Sequence, residues 1–372
     1  MYQKGRAWIE LNMENLLCNV KQLQALLPAH CAIMPAVKAN AYGHGARLIS
    51  QALQETGIRN FCVASVSEAI ELRNAGIDGQ ILVLCYTTPY QFSDLVEYDL
   101  IQTVVDYSYA RQLNSYGKPM CVHVGIDTGM HRLGEPSSNM ETIRSIWNLK
   151  NLKITGVFSH LCVSDGTTET ERDYTLAQIQ KFQSVIRFLH QNGIYGFKQH
   201  LQGSYGVLNY PHLSFDYARI GIALYGAYSS PGDKTIAQVN LKPVLALKAR
   251  IECVKPLHTG ESVGYGLDYT AVKEMKIAAV SIGYADGIPR GLSNRGYVLI
   301  NGQKADIIGR ICMDQLLIDV SEISSAAAGD EVVLIGKCKE QEITAGDFAE
   351  RAGTISNEIL SRLGKRLERV AV

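Results

Sequence analysis

The stretch AVKANAYGHG, Ala36–Gly45, decides how the rest of the chain reads. A short apolar run, Ala32–Val37 broken only by Pro35, ends on a single lysine, Lys38. Small residues follow, then Tyr42, the Gly43-His44-Gly45 turn and an amphipathic helix near Ala46–Thr56. A lysine at the end of a buried strand is costly in a purely structural role. Desolvation lowers the pKa of its amine and makes it a usable nucleophile or base. Spacing alone leaves equal room for a Lys38 that sits just past the strand and points into water.

Outward from this stretch, apolar runs and helical patterns alternate. Before it, Asn12 is placed to cap a helix over Met13–Leu27, with Leu16, Leu17, Val20, Leu23 and Leu26 on one face. After it come runs at Phe61–Val66, Ile81–Cys85, Ile101–Val105, Cys121–Val124, Ile154–Phe158, Lys198–Gln202 and Tyr217–Ile222. Helical stretches at Ser67–Ala75, Tyr90–Tyr98, Tyr107–Tyr116, Ser138–Leu149, Glu169–Gln191 and Tyr205–Leu208 separate them. With the Lys38 strand this makes eight βα units, the rhythm of a (β/α)8 barrel. A doubly wound open sheet is the alternative, and it lacks its glycine-rich dinucleotide turn here.

At Ser229–Lys234, SSPGDK, the texture changes. Beyond it the runs are β-type: Val244–Val254, Lys276–Ile282, Gly296–Ile300, Ala305–Ile311, Leu316–Val320 and Glu331–Ile335. Turns such as Asn301-Gly302 and Gly329-Asp330 separate them. Two short helices, Ala345–Ala352 and Ser356–Leu363, close the chain. The expected fold class is α/β: a TIM-type barrel domain over 1–230, then a mostly β domain over 231–372, with the first few residues packing against the latter.

Charge balances at 36 basic and 36 acidic residues, so nothing points to nucleic acid or an anionic membrane. Nine cysteines without CxxC pairs read as reduced thiols, mostly in buried strands, and imply no metal site. No run approaches a membrane span, and the start MYQKGRAWIE has no signal-peptide pattern. The segment is expected to be soluble.

Barrels of this kind carry their active groups at the C-terminal ends of the strands. The first end gives Lys38 and Tyr42, the fifth Asp127–Arg132, the sixth Ser159-His160, the seventh Gly203-Ser204, and the eighth Arg219–Ile222. Loops after strands seven and eight are the usual phosphate seat, and Ser204, Gly221 and the backbone around Ile222 fit it. A lysine able to form an imine, facing a phosphate seat across one barrel mouth, suggests pyridoxal 5'-phosphate. In the second domain, Gly264-Tyr265-Gly266 sets a tyrosine between glycines on an exposed turn. Gly283-Tyr284-Ala285-Asp286-Gly287 and Gly309–Gln315 set further polar groups in a β context.

VKANAYGHG resembles the cofactor-lysine motif of the alanine racemase family. The likeness extends over nearly the whole chain: DTGMHRLG at Asp127–Gly134, FSHL at Phe158–Leu161, ARIGIALYG at Ala218–Gly226, GYGLDYTA at Gly264–Ala271, SIGYADG at Ser281–Gly287, GRICMDQ at Gly309–Gln315 and TISNE at Thr354–Glu358. The resemblance implies a homodimer whose two sites are each shared by both chains. Lys38 would be the Schiff-base lysine and the base for the D-enantiomer, and Tyr265 from the partner chain the opposite base. His160 would link Tyr265 to Arg219, which would donate to the pyridine nitrogen. Arg132 would address the cofactor's phenolic oxygen and the substrate carboxylate. Tyr42, Ser204, Gly221 and Ile222 would hold the phosphate. Cys312 and Met313 would line the substrate pocket from the partner chain, and Tyr284 would stand at its entry near Arg290 and Asp314.

Two departures matter. Many family members carry a carboxylated lysine two residues before DTGM; here that residue is Gly125. Where family members usually have a tyrosine in TISYE, this chain has Asn357. Asparagine is shorter, and its amide can meet a substrate hydroxyl. That pattern resembles the serine/alanine racemase domain of the membrane proteins of vancomycin-resistant enterococci. It implies serine as well as alanine as the small amino-acid substrate, and D-serine for peptidoglycan precursors ending in D-Ala-D-Ser. It also implies a cytoplasmic location, free-standing or tethered to a membrane-spanning part. The alternatives are an ordinary biosynthetic alanine racemase, a non-catalytic pyridoxal-phosphate carrier, and a related decarboxylase. The carrier would stop at the barrel, and the decarboxylase needs a carboxylate in place of Arg219.

Overall fold

Each of the eight apolar runs of the first half forms a parallel strand. The computed structural model describes residues 5–372 and leaves Met1–Lys4, part of the start read above, outside the described residues. Around the barrel the strands run Ala32–Ile33, Tyr217–Ala218, Lys198–His200, Leu152–Phe158, Met120–Asp127, Ile101–Val104, Gln80–Val83 and Asn60–Val63. The ring closes through one bridge, Ala36 to Cys62. There Cys62 N–H donates to the Pro35 carbonyl at 2.9 Å, and Val37 N–H donates to the Cys62 carbonyl at 3.0 Å. Closure excludes the open doubly wound sheet.

The helices follow the expected spans closely. Asn12 caps Met13–Ala25 by accepting from the Asn15 N–H at 2.8 Å. That helix buries Leu16 and Leu23. It also buries Asn19, whose amide bonds the Leu224 and Lys242 carbonyls and accepts from Lys242 N–H. Glu169–Gln191 starts on a Thr168/Glu171 capping box. The 138–149 stretch is shorter than expected, an α-helix over Met140–Ser145 and a 3-10 turn over Ile146–Asn148.

The second domain is a nine-stranded sheet. Its central strand, Leu245–Leu257, pairs with Met275–Val280, Glu331–Cys338 and Ala7–Leu11. Ala7–Leu11 in turn pairs in parallel with Glu368–Ala371, so both ends of the described chain lie in this sheet. The Asn301-Gly302 turn, with φ of 52° and 83°, joins Tyr297–Ile300 to Gln303–Ile308. All nine cysteines are free, but only Cys31 and Cys62 are buried; Cys85, Cys162 and Cys253 are exposed. The expectation that most lie in buried strands is therefore corrected. Among the described residues, no helix is long and apolar enough to cross a membrane.

The segment after Lys38 is not a simple turn. Ala39, Asn40, Ala41 and Tyr42 take φ of 52°, 54°, 54° and 51°, one left-handed helical turn of non-glycine residues. Such residues cost about 1–2 kcal/mol each, so the turn has to be held from outside. Asn40 Oδ1 accepts from Ala46 N–H at 2.8 Å. His44 Nδ1 lies 3.0 and 2.9 Å from the Ala41 and Tyr42 carbonyls. The second domain adds Arg369, which donates to the Gly43 carbonyl at 3.1 and 3.0 Å. Leu360 presses its carbonyl against the Gly43 Cα.

Gly43, at φ +79°, has no room for a Cβ, which would overlap the Leu360 carbonyl oxygen. Gly43→Ala is expected to cost roughly 2–4 kcal/mol, read from urea unfolding midpoints. Gly57→Ala, at φ +93° with open space around it, is expected to cost about 1 kcal/mol. Equal losses at the two positions would mean that Leu360 does not constrain the turn.

Candidate active site

The barrel mouth gathers the strand-end residues into one electropositive site. Lys38 is half-buried at the start of the left-handed turn. Arg219 is buried inside the last strand's exit and donates to four neutral acceptors. These are the Ser159 carbonyl at 2.6 Å, the Leu201 carbonyl at 3.1 Å, His200 Nδ1 at 2.7 Å and His160 Nδ1 at 3.2 Å. Its guanidinium also lies 4.9 Å from the Phe158 ring centroid. Among the described residues no carboxylate pairs with Arg219. Burial pulls its pKa down to about 10.

A guanidinium can only donate, so each imidazole must present a lone pair at Nδ1 and carry its proton at Nε2. His200 therefore donates from Nε2 to His123 Nδ1, 2.9 Å away. Gly156 faces His123 across the strands, and any Cβ there would meet the imidazole ring. Burial, then the charges of Arg219, Arg132 and Lys38, lower the His160 pKa to about 3. All three cations are thus close enough to act on one imidazole.

A phosphate-sized cradle lies in the same mouth. Ser204 Oγ accepts from the N–H groups of Gly221 at 3.1 Å and Ala223 at 3.2 Å, which leaves its own proton to donate. Ile222 opens the following 3-10 turn, so its N–H has no intrahelical acceptor. A Cβ on Gly221 would stand 2.5 Å from Tyr42 Oη. Glycine is what lets that hydroxyl approach the cradle. The convergence of a strand-end amine, the free Ile222 N–H and two hydroxyls fits a phosphorylated aldehyde.

Arg132 sits on the rim with its side chain exposed. Its loop is pinned by Asp127, which accepts from the N–H groups of Gly129 at 2.9 Å and His131 at 3.0 Å. Tyr174 Oη donates to the Gly129 carbonyl at 2.7 Å. Gly125 lies beneath, where a Cβ would come 3.1 Å from the Val104 carbonyl oxygen. The loop's backbone is therefore fixed without a lysine at that position, while the guanidinium has no carboxylate partner among the described residues.

Tyr265, Tyr284, Cys312, Met313 and Asp314 are carried by the β domain. Tyr265 is 70% exposed between Gly264 and Gly266, which have φ of 71° and 78°. Arg310, paired with Asp268, fills the space beneath Gly266 and props the turn outward. Within one chain Tyr265 makes no hydrogen bond with His160. Tyr284, Cys312 and Met313 meet on the same domain: Tyr284 N–H donates to the Cys312 carbonyl and Ala285 N–H to the Met313 carbonyl, both at 3.0 Å. Met313 is 52% exposed. Asp314 is engaged by Arg366 at 2.6 Å. Asn357 lies in the first turn of Ser356–Ser361, the helix packed on the left-handed turn, and its Oδ1 is buried without a partner. Sequence reading passed over His123, His200 and Glu68. The two histidines sit in recognised strands, where an imidazole pointing inward is the available signal.

The fold and mouth place the molecule in the class of barrel proteins that hold pyridoxal phosphate through a lysine. The model of the alanine racemase N-terminal domain matches residues 11–229, and that of the C-terminal domain matches 244–371. The chain belongs to the alanine racemase family. It is 41% identical over 363 residues to an amino-acid racemase of Enterococcus faecalis, covering 97% of this chain and 51% of that protein. It thus spans about half the length of the first curated relatives it matches. To the alanine racemase of Carboxydothermus hydrogenoformans it is 40% identical over 369 residues, 98% of this chain and 99% of that one. The structure of Clostridium difficile alanine racemase superposes with a TM-score of 0.92 at 33% identity, over 100% of this chain and 96% of that one. The Bartonella henselae alanine racemase with covalently bound pyridoxal phosphate gives 0.87 at 28% identity, over 99% and 100% of the two chains.

Three buried imidazoles and the half-buried His160 give the protein a testable acid sensitivity. Desolvation holds His44 to about 4 and His123 and His160 to about 3, with His200 well below its ordinary value. Unfolded, each titrates near pH 6.5. The unfolded chain therefore binds more protons below that pH, and stability falls as pH falls. Lowering pH from 7.5 to 5 is expected to lower the urea midpoint, with proton uptake on unfolding measurable by calorimetry in two buffers. A midpoint indifferent to pH over that range would mean the native imidazoles are not held neutral.

Proposed function

We propose that the chain is a pyridoxal-phosphate-dependent racemase of a small amino acid, working as a homodimer. Alanine is the substrate the family likeness favours. The observation that carries this reading is the buried Arg219, whose acceptors are two carbonyls and two neutral imidazoles. A permanent donor at that place suits a cofactor ring nitrogen that stays unprotonated, a weaker electron sink than a carboxylate would give. A weak sink disfavours transamination and elimination and leaves proton return as the main outcome.

When bound, pyridoxal phosphate supplies an aldehyde for the lysine amine and a sink for the charge left as the Cα proton departs. Lys38 would hold the aldehyde and move the proton on the D-face. The partner subunit's Tyr265 would move it on the L-face, since inversion needs bases on opposite sides. His160, with Nδ1 committed to Arg219, keeps its Nε2–H for that tyrosine. Tyr42, Ser204, Gly221 and Ile222 would hold the phosphate, and Arg132 the substrate carboxylate. The partner subunit's Cys312 and the partner subunit's Met313 would line the pocket, with the partner subunit's Tyr284 at its entry. In this division the barrel, 1–230, binds the cofactor, and the β domain, 231–372, completes the site of the other chain. The exposure of Tyr265 and Met313 supports such sharing.

A finer reading adds serine. The buried Asn357 Oδ1 without a partner supports it, because a substrate hydroxyl could donate there. On this reading the enzyme is a cytoplasmic source of D-serine for precursors ending in D-Ala-D-Ser, with the vancomycin-resistance role that implies.

Lys38→Ala is expected to abolish both the visible absorbance of the bound cofactor and racemisation. A variant that still racemises L-alanine would sink the two-base reading. For the finer reading, kcat/KM for L-serine relative to L-alanine is expected to fall about tenfold or more in Asn357→Tyr. An unchanged ratio would remove Asn357 as the determinant and leave a plain alanine racemase.

A further inference from the structure

We propose that Glu68 is a positioning residue for Lys38: its carboxylate replaces the backbone rung that the left-handed turn removes from the barrel seam. The proposal rests on the role given to Lys38 above.

The first and second barrel strands meet through the single Ala36–Cys62 bridge. A parallel ladder that carries Cys62 N–H to the Pro35 carbonyl and Val37 N–H to the Cys62 carbonyl has a defined next step. Ala64 N–H would go to the Val37 carbonyl, and Ala39 N–H to the Ala64 carbonyl. Neither bond forms. The chain leaves the strand direction at Ala39, and the Val37 carbonyl accepts from Ala41 N–H at 2.8 Å instead. Both stranded N–H groups turn to one side chain. Ala39 N–H donates to Glu68 Oε1 and Ala64 N–H to Glu68 Oε2, each at 2.7 Å. Bonds of this length to an ionised acceptor are the strong class.

Glu68 forgoes a local role to do this. It is the third residue of the helix Val66–Asn74, whose N-cap Ser65 accepts from the Glu68 N–H at 3.3 Å. In a capping box the glutamate would fold back to the Ser65 N–H. Here Oε1 reaches across the seam to Ala39, and Oε2 takes the Ala64 N–H on its own side. The Ala39 N–H belongs to the peptide that leaves Lys38, so the bond fixes that peptide plane and the direction of the Lys38 side chain. It also helps hold a turn whose four positive φ values would otherwise relax.

The test is hydrogen exchange by mass spectrometry on the full chain as purified, followed by removal and re-addition of pyridoxal phosphate. Glu68→Ala removes both acceptors. Glu68→Gln keeps the size but offers one acceptor and an opposing donor. Both are expected to speed exchange at 36–42 about tenfold or more, while the helix 66–74 keeps its protection. Recovery of cofactor absorbance is expected to slow about tenfold, and kcat to fall with KM for alanine within about twofold. Glu71→Gln, exposed on the same helix, is expected to match the unmodified chain. Unchanged exchange at 36–42 in Glu68→Ala would overturn the proposal. So would equal loosening of that segment, the helix and the remaining barrel, which would make Glu68 merely structural. If the unmodified chain takes up no pyridoxal phosphate, the racemase reading fails, and the exchange comparison still decides whether Glu68 is the clasp.

Discussion

Four successive non-glycine residues in left-handed conformation are the constraint on which this molecule turns. Their combined cost, several kcal/mol at about 1–2 each, is met by contacts from three directions. Glu68 holds the turn from the helix after the second barrel strand, Asn40 and His44 from within, and Arg369 and Leu360 from the β domain. The turn presents Lys38 at one end and Tyr42 at the other. The same device that aims the amine also brings the Tyr42 hydroxyl to Gly221. The β domain is then not an appendage. Its grip on Gly43 is one of the three holds, and Ser356–Ser361, the helix bearing Asn357, packs on the turn.

The second constraint is electrostatic. Lys38, Arg132 and Arg219 all act on His160, and no carboxylate answers Arg219 or Arg132 among the described residues. Burying a guanidinium without an anion is expensive. The cost is reduced by four neutral acceptors and the Phe158 face. It is sustained only if His200 and His160 both stay neutral. His123 contributes by accepting from His200 Nε2 and so fixing the tautomer that shows Arg219 a lone pair. Gly156 contributes by leaving the space that the His123 ring occupies. The result is a cationic mouth suited to a phosphate at one side and a carboxylate at the other.

Much of this was legible in the sequence, and the parts that were not share a physical cause. Strands buried on both faces read as continuous apolar runs, so most barrel strands stood out on that ground; the polar Lys198–His200, with its exposed lysine, is the exception. Lys38, Tyr42, Ser204, Arg219 and Gly221 stood out because barrel chemistry collects at strand ends. The left-handed turn did not, since Ala39, Ala41 and Tyr42 carry no side-chain signal for positive φ and only Asn40 hints at it. Ala7–Leu11 and Glu368–Ala371 are short strands whose pairing joins opposite ends of the chain, a contact that no local pattern encodes. Glu68 was hidden because Ser-x-x-Glu reads as an ordinary helix start. Tyr265, Tyr284, Cys312 and Met313 stood out as three marks in the β domain, and only the family resemblance joined them as expected parts of one shared site.

The barrel supplies a lysine, a cradle and a cationic floor, all approaching from one side. On the two-base reading proposed above, a second proton carrier would come from the other side, and Tyr265, on the β domain, is exposed. Arg310 and Asp268 hold the Tyr265 turn in its exposed form rather than letting it fold onto the sheet. Its rigidity makes sense if the surface is completed elsewhere. The turn at Ala39 and the turn at Tyr265 are then two halves of one requirement. Both are braced by charged side chains; the turn at Ala39 carries the strain of four non-glycine residues at positive φ, while Tyr265 sits between glycines that take positive φ at little cost.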